Sequence, residues 1–276
     1  MQAIWRRKPL VAVSVRGVTC PVVYASITCM GANFRDFLSP LDCARFGFGV
    51  AKVDDFASGI DPLLDQFRAH SVKLVVSRIP SADISLLNEL EDRGFRIKDT
   101  QLTYRYSLTN GTDQPCIESK DFRIRKFEPG DTEALVRVAQ ESFSGYGHYA
   151  ADAKLDPAKC AEIYEDWARN TCRDPKVADQ IVVAERDGAL IGYLSFKIKS
   201  DGNEKYAAGG MGAVSNEHRS LGVFSAIVRA GLKWGAEIGL AWEEHNVIAA
   251  NLPVNHAFIR CGFKPSHSVV TLHGWL

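Results

Sequence analysis

The sequence predicts a mixed α/β (α+β) fold in two parts, and three observations carry that prediction. Strand-like and helix-like stretches alternate between residues 41 and 108. A polar stretch with Gly and Pro, Thr109 to Asp121, then interrupts the periodicity and marks a boundary. Beyond it, two apolar runs flank Asp187-Gly188, the hairpin signal of an antiparallel sheet. With 276 residues, 46% of them hydrophobic and 24% charged, the chain has globular composition and length for a sizeable core.

Residues 1–36 read as an N-terminal extension of uncertain role. The run from Leu10 to Met30 follows Arg6, Arg7 and Lys8 in the manner of a signal peptide, but Arg16 and Pro21 interrupt it and no small-residue cleavage site follows. The same interruptions argue against a bilayer span. Residues 37–110 form the first domain. Arg45 to Val53 reads as a strand, and Asp61-Pro62 opens a helix with an N-cap acid and a proline at its first position. Val72 to Ser77 is a short buried strand. Ser81 to Phe95 is a helix stopped by Gly94, and Thr100 to Leu108 closes with polar/apolar alternation.

Residues 111–121 are the linker and 122–276 the second domain. Phe122 to Phe127 is a strand, and Pro129 to Phe143 a helix capped by Asp131. Asp156-Pro157 starts another helix, with Cys160, Ile163, Tyr164 and Trp167 on one face. The hairpin about Asp187-Gly188 is followed by a third antiparallel strand over about 205–214. The next helix buries Val223, Ile227, Ala230, Trp234 and Ile238. A strand near 242–249, a helix to Cys261 and a strand through Trp275 finish the chain. "LNELEDRGFRI" and "NHAFIRCGFKP" echo each other as helices ended by Gly-Phe, so the first domain reads as a partial copy of the second. Independent use of a glycine cap is the alternative.

Lys+Arg and Asp+Glu number 33 each, so no basic surplus points to nucleic acid or a membrane surface. Seven cysteines without a CxxC fit reduced thiols in a cytoplasm better than disulfides or a zinc site. His245, His256, His267 and His273 lack ligand spacing, and no metal is predicted. Asn110-Gly111-Thr112 is a glycosylation sequon by pattern only.

The chemistry-bearing stretch is "HRSLGVFSAIV", residues 218 to 228. A strand, then R-x-x-G, then a helix leaves free backbone N–H groups at a helix N-terminus, where the dipole favours an anion. Gly222 lets a phosphate approach without a Cβ in the way, Arg219 adds charge, and Ser225 offers a hydroxyl. The alternative is a tight strand-to-helix turn without a ligand.

In its order of elements and in these motifs the second domain resembles the GNAT superfamily of acetyl-CoA-dependent N-acetyltransferases. The family's phosphate loop, Q/R-x-x-G-x-G/A, falls on Arg219, Gly222 and Phe224, so the last small residue is lost. Its later motif, N-x-x-A-x-x-x-Y-x-x-x-G-F, is met by Asn251, Gly262 and Phe263, with Val254 and Phe258 replacing alanine and tyrosine. The resemblance implies a GNAT fold with a smaller, partial GNAT-like N-terminal domain. It implies an acetyl-CoA pyrophosphate on Arg219, Ser220, Leu221, Gly222, Val223, Phe224 and Ser225, and a pantetheine arm bonded by Asn251 and Asn255. An oxyanion amide falls near Val214. Phe258, at the position beside the thioester, cannot protonate a departing thiolate. The thiolate then leaves unaided or takes a proton from Tyr149 or Ser225.

From residue 39 onward, "SPLDCARFGFGVAKV", "GYGHYAADAKLD", "YEDWARN" and "TLHGWL" are similar to the bacterial TDP-fucosamine acetyltransferase family, whose acceptor is the amine of a nucleotide-linked amino-deoxy sugar. This implies a cytoplasmic enzyme of polysaccharide biosynthesis. Its partners would be acetyl-CoA and a small-molecule amine, with a homodimer left open. His148 and Tyr149, where the superfamily receives its acceptor, are the candidate catalytic pair; a solvated loop is the alternative. Tyr164 and Trp167 could line a sugar site or belong to the core. The rival readings are a GNAT enzyme for another small or protein amine, and a non-catalytic acyl-CoA-binding module.

Overall fold

A computed structural model describes residues 34–109 and 119–276. The run Leu10 to Met30, Cys20, Cys29, Cys116 and the Asn110 sequon lie outside the described residues. The first part contributes α1 (Pro40–Phe46), β1 (Gly49–Lys52), α2 (Ile60–Ala69), β2 (Val72–Pro80), α3 (Ile84–Asp92) and β3 (Arg96–Ser107). The second contributes β4 (Arg123–Lys126), α4 (Thr132–Phe143), α5 (Gly147–Ala150), α6 (Pro157–Arg173), β5 (Gln180–Arg186), β6 (Ala189–Asp201) and β7 (Glu204–Val214). After these come α7 (Val223–Glu237), β8 (Trp242–Ile248), α8 (Leu252–Arg260) and β9 (Lys264–Trp275).

Among the described residues the strands form one nine-stranded sheet in the order β1-β2-β9-β3-β8-β7-β6-β5-β4. The last strand, β9, lies antiparallel between β2 and β3, with His273 opposite Val76 and Thr271 opposite Asp99. Strands from both sides of the linker therefore share one ladder. On one face α2 and α3 pack Leu64, Phe67, Leu90 and Phe95 against Val270 and Leu272 of β9. The register sets Val270 beside Thr100, so this face also carries Tyr104, which packs with Phe196, Ile227, Leu232 and Phe258 under α7 and α8. On the opposite face α4 and α6 cover Val183, Tyr193 and Met211, while α1 and α5 cover Leu74 and Val76.

Most element boundaries follow their sequence signals. Asp156 caps α6 by accepting from the Ala158 amide at 2.9 Å, and Asp83 caps α3 from Leu86 at 3.2 Å. Asp187 and Gly188 take φ of 51° and 77°, as their hairpin requires. Three readings of element boundaries are corrected. Arg45 to Val53 is not one strand: Pro40 starts α1, Gly47 at φ 77° ends it, and only Gly49–Lys52 extends. The second helix starts at Ile60 behind Gly59, and Asp61 instead pairs with Arg93 at 2.7 Å. Asp131 turns back, accepting from the Glu128 amide and pairing with Arg125 at 2.7 Å, rather than capping α4.

The buried stripe of α7 is also rotated from the expected one. It includes Val223 and Ile227, but adds Ala226, Val228, Gly231, Leu232 and Gly235, leaving Ala230 and Trp234 half-buried. Ile238 lies past the helix end, 47% exposed. The cause is close approach: a Cβ on Gly231 would run into the Phe196 ring, so the glycine face meets the sheet. On α6, Cys160 is buried, whereas Trp167 is 45% exposed and leaves the predicted apolar face.

Candidate active site

The central strands part to form a fork. β7 and β8 pair in parallel only at Tyr206–Trp242, Ala207–Glu243 and Ala208–Glu244, although β7 continues to Val214 and β8 to Ile248. Beyond Ala208 the two edges diverge, leaving backbone groups to face a ligand. Where they part, β7 carries Gly209, Gly210 and Gly212. The register against β6 slips here: Phe196 faces Gly209 and Leu194 faces Gly212, so Gly210 and Met211 together oppose Ser195. This bulge takes backbone out of the ladder at the fork. The backbone that leaves the ladder is thus at Gly210–Met211, ahead of Val214. Val214 itself is paired with Gly192, and its carbonyl accepts from Ser142 Oγ at 3.3 Å and Arg219 Nε at 3.4 Å.

At the open end of β7, Ser215 leads through a 3₁₀ turn, Asn216–His218, to Arg219 and α7. Ser220 at φ 68° and Gly222 at φ 79° take left-handed backbone in this turn. Among the described residues, the amides of Ser220, Leu221, Gly222, Val223, Phe224 and Ser225 donate to no backbone carbonyl; the first helical bond runs from Ala226 to Gly222. A Cβ on Gly222 would meet nothing within 4 Å, so the space before these donors is open. Arg219, Ser220, Leu221 and Gly222 are exposed, and Val223 anchors the helix in the core. Free amides at a helix N-terminus are suited to an anion.

Phe224 and Phe258, the two aromatic departures from the family pattern, touch one another. Their rings meet edge to face with centroids 5.6 Å apart. Phe258 is 2% exposed, stacked on Tyr104 at 5.8 Å and packed against Phe263 at 5.1 Å. Phe224 therefore turns towards α8 instead of filling the cradle. Phe258 forms part of the core beneath the fork, not a surface in the groove. A hydroxyl placed on that ring would enter an aromatic cluster.

The start of α8 borders the other tine. Asn251 caps the helix, its Oδ1 accepting from Val254 at 3.5 Å, while Nδ2 donates to Tyr146 Oη at 3.4 Å. Asn255 is buried and its Nδ2 donates to Ile248, Ala249 and Asn251 carbonyls. Its Oδ1 is buried without a partner, an acceptor suited to an amide N–H.

His148 and Tyr149 do not lie in a solvated loop. They sit on α5, 8% and 6% exposed, against the N-terminal strands. Nδ1 of His148 lies 2.8 Å from Nε2 of His273, whose Nδ1 bonds Asp152 at 2.7 Å. Burial, with the neighbouring His273, pulls His148 down to about 2. Burial opposes the Asp152 charge, but hydrogen bonds from His273, Trp275 and the Lys154 amide outweigh it and hold the carboxyl at about 2. Tyr149 donates to Asp42 of α1 at 2.8 Å, and burial raises its pKa. The pair fastens α5 to both parts of the chain.

Three groups absent from the sequence reading lie on the same face. Tyr146 reaches Asn251 at the fork, and burial raises its pKa. Asp99 has both carboxylate oxygens buried without a hydrogen-bond partner, and its charge acts on Tyr146 and Tyr164. Thr271, its neighbour across the ladder, is fully buried with an unpartnered hydroxyl. A break between Ile97 and Asp99 in the β3–β9 register, invisible in composition, aims Asp99 this way. The Gly209-Gly210-Met211-Gly212 run was the readable signal for the fork. Among the described residues no cluster of His, Cys, Asp and Glu could hold a metal, and no helix is long and apolar enough to cross a membrane.

Diverging parallel strands that end at an amide-rich helix start are thus the central feature of the second part of the chain. Residues 134–263 match the acetyltransferase (GNAT) family. The chain is 34% identical over 80 residues to the spore coat polysaccharide biosynthesis protein SpsD of Bacillus subtilis strain 168, a stretch covering 29% of this chain and 27% of that protein. Its fold is similar to a tandem GNAT protein from the clavulanic acid biosynthesis pathway: TM-score 0.57, 19% identity, covering 82% of this chain and 75% of that one. It is also similar to a GCN5-related N-acetyltransferase from Sphaerobacter thermophilus: TM-score 0.54, 18% identity, covering 76% and 64%.

Proposed function

We propose that the protein transfers an acetyl group from acetyl-CoA to the amine of a nucleotide-linked amino-deoxy sugar. The observation that carries the transfer is the fork between β7 and β8, opening onto the free amides of Ser220 to Ser225. In this reading the amides and Arg219 hold the pyrophosphate, Asn255 Oδ1 accepts from the pantetheine arm, and the bulge at Gly210–Met211 faces the thioester oxygen. Acetyl-CoA supplies the activated acyl group. The acceptor enters on the α5 side, where Asp99 and Thr271 offer a carboxylate and a hydroxyl to a protonated amine.

The sugar is favoured by the SpsD likeness and by the residues shared with TDP-fucosamine acetyltransferases. His148 and Tyr149 enter the proposal as positioning groups that hold α5 beside the acceptor entrance, because Nδ1 of His148 and the Tyr149 hydroxyl are already bonded. The division into residues 37–110 and 122–276, the first a partial GNAT-like unit, belongs to the same proposal, as does a cytoplasmic setting. Phe258 favours a second reading, acyl-CoA binding without transfer, since no hydroxyl stands at that position.

Free-thiol release from acetyl-CoA against a panel of TDP- and UDP-amino sugars and simple amines tests both. Release with an amino sugar above the simple amines is expected. CoA binding without release from any amine would give the binding reading instead.

A further inference from the structure

A buried acid–base pair stands at the apex of the fork. Glu243 is 0% exposed and His245 3% exposed, two residues apart on the face of β8 beneath α7 and α8. Nε2 of His245 lies 2.7 Å from Oε1 of Glu243, and Oε2 of Glu243 has no partner. Burying a carboxylate and an imidazole inside an apolar core carries a desolvation cost that their mutual hydrogen bond only partly offsets, and such pairs cluster at functional sites. The surroundings are aromatic: the ring packs on Phe258 at 4.5 Å, Phe263 at 5.5 Å and Phe196 at 5.9 Å, and Tyr104 lies opposite on β3.

Its free nitrogen has a defined direction. A Cβ on Gly209 would collide with Nδ1 of His245, so this nitrogen lies over the first residue of β7 beyond the last β7–β8 pair. Glycine at 209 makes that placement sterically allowed. The imidazole also packs directly on Phe258, the residue at the family's tyrosine position. One titratable ring with a fixed partner therefore occupies the apex where the tyrosine hydroxyl is missing.

We infer that His245, positioned by Glu243, is the proton donor to the departing CoA thiolate. This rests on the acetyl-transfer reading. The amine lone pair forms the C–N bond, the C–S bond breaks with its electron pair on sulfur, and the Nδ1 proton passes to sulfur to give the thiol. The proton lost by the new amide nitrogen returns to imidazole through solvent, so the cycle needs no further reactant. Glu243 acts through His245, fixing which nitrogen faces the fork.

The decisive experiment needs no acceptor. The thiol of CoA bound to the protein is titrated by thiolate absorbance, with free CoA in the same buffer as reference. In the wild type the bound thiol should titrate at least about one pH unit below free CoA, since an N–H donor held against sulfur stabilises the thiolate. His245→Gln should bring it back to the free value while CoA affinity by calorimetry stays within about twofold. Identical titrations in wild type and His245→Gln would overturn the assignment.

Should that variant not fold, imidazole NMR of the wild type decides. The His245 signal should move on adding CoA and not on adding desulfo-CoA; equal response to both overturns the idea. With an acceptor from the sugar panel, His245→Gln should lower kcat about 100-fold at unchanged KM for acetyl-CoA, the usual cost of losing a general acid. Glu243→Gln should lower kcat less and alter its pH profile. If the wild type binds no CoA at all, the transfer reading fails instead, and calorimetry separates that outcome from the others.

Discussion

Replacing Gly222 with aspartate tests the anion cradle, and alanine at the same position isolates what backbone strain alone does. Gly222 stands at φ 79° as the N-cap of α7, and a Cβ there would meet no atom within 4 Å. Alanine therefore causes no collision and carries only the cost of a left-handed conformation, about 1–2 kcal/mol. Aspartate carries the same strain and adds a negative charge beside the amides proposed to hold the pyrophosphate. For two unit charges about 4 Å apart the repulsion runs from about 1 kcal/mol in water to about 4 kcal/mol near a protein surface. Gly222→Asp should thus bind CoA roughly 5- to 800-fold more weakly than Gly222→Ala.

Calorimetry with CoA on both folded variants reads the difference directly. Because the position is exposed, raising the ionic strength should shrink the gap between them. Pantetheine, which lacks the pyrophosphate, should bind the two variants alike. Equal CoA affinity of the aspartate and alanine variants at low salt would refute the cradle. A gap that persists with pantetheine would refute the placement of the pyrophosphate.

Two further outcomes are expected from the buried groups. Asp99→Asn should raise the acceptor KM about tenfold or more while leaving CoA affinity unchanged, because it removes a charge from the acceptor side alone; steady-state kinetics with the best panel amine would show this. His148, held at about 2 when folded, should make stability fall below about pH 6.5, by up to about 1.4 kcal/mol per pH unit. The sign follows because only the unfolded chain takes up that proton between those limits, so stability is full above the unfolded pKa and is lost as pH falls. Urea melts of wild type and His148→Gln should show a shallower acid slope for the variant.

Much of the fold was legible because its signals are local. Asp156-Pro157, Asp187-Gly188 and Gly94 each determine backbone geometry within a few residues, and each element starts, turns or stops there. Readings that required a neighbour failed. Asp61 and Asp131 carry the right side chain for a cap, yet each found a better partner, in Arg93 and Arg125. The stripe of α7 was misplaced for a related reason. Periodicity weights large apolar side chains, whereas this helix meets the sheet through Gly231 and Gly235. The position of β9 between β2 and β3 rests on pairing across the whole chain, which no local pattern encodes.

The candidate site divides in the same way. The R-x-x-G loop was readable because backbone amides at a helix start need only a strand, a glycine and a helix. The surroundings of His148 were not, because side-chain exposure is a tertiary property: it looks like a loop histidine in "GYGHYAAD" and becomes one end of a buried His148–His273–Asp152 chain only when β9 brings His273 beside it. Phe224 and Phe258 show why a motif departure should be judged in pairs. Taken singly, one blocks a phosphate loop and the other removes an acid. In the structure their rings meet at 5.6 Å, so the bulky residue at 224 has a place to go, and Phe258 seals the core against which His245 lies. A tyrosine restored at 258 would bring its hydroxyl into that aromatic cluster, next to an imidazole already bonded to Glu243. The two phenylalanines and the buried Glu243–His245 pair are therefore one packing solution, in which the loss of a tyrosine hydroxyl and the presence of an imidazole at the fork belong together.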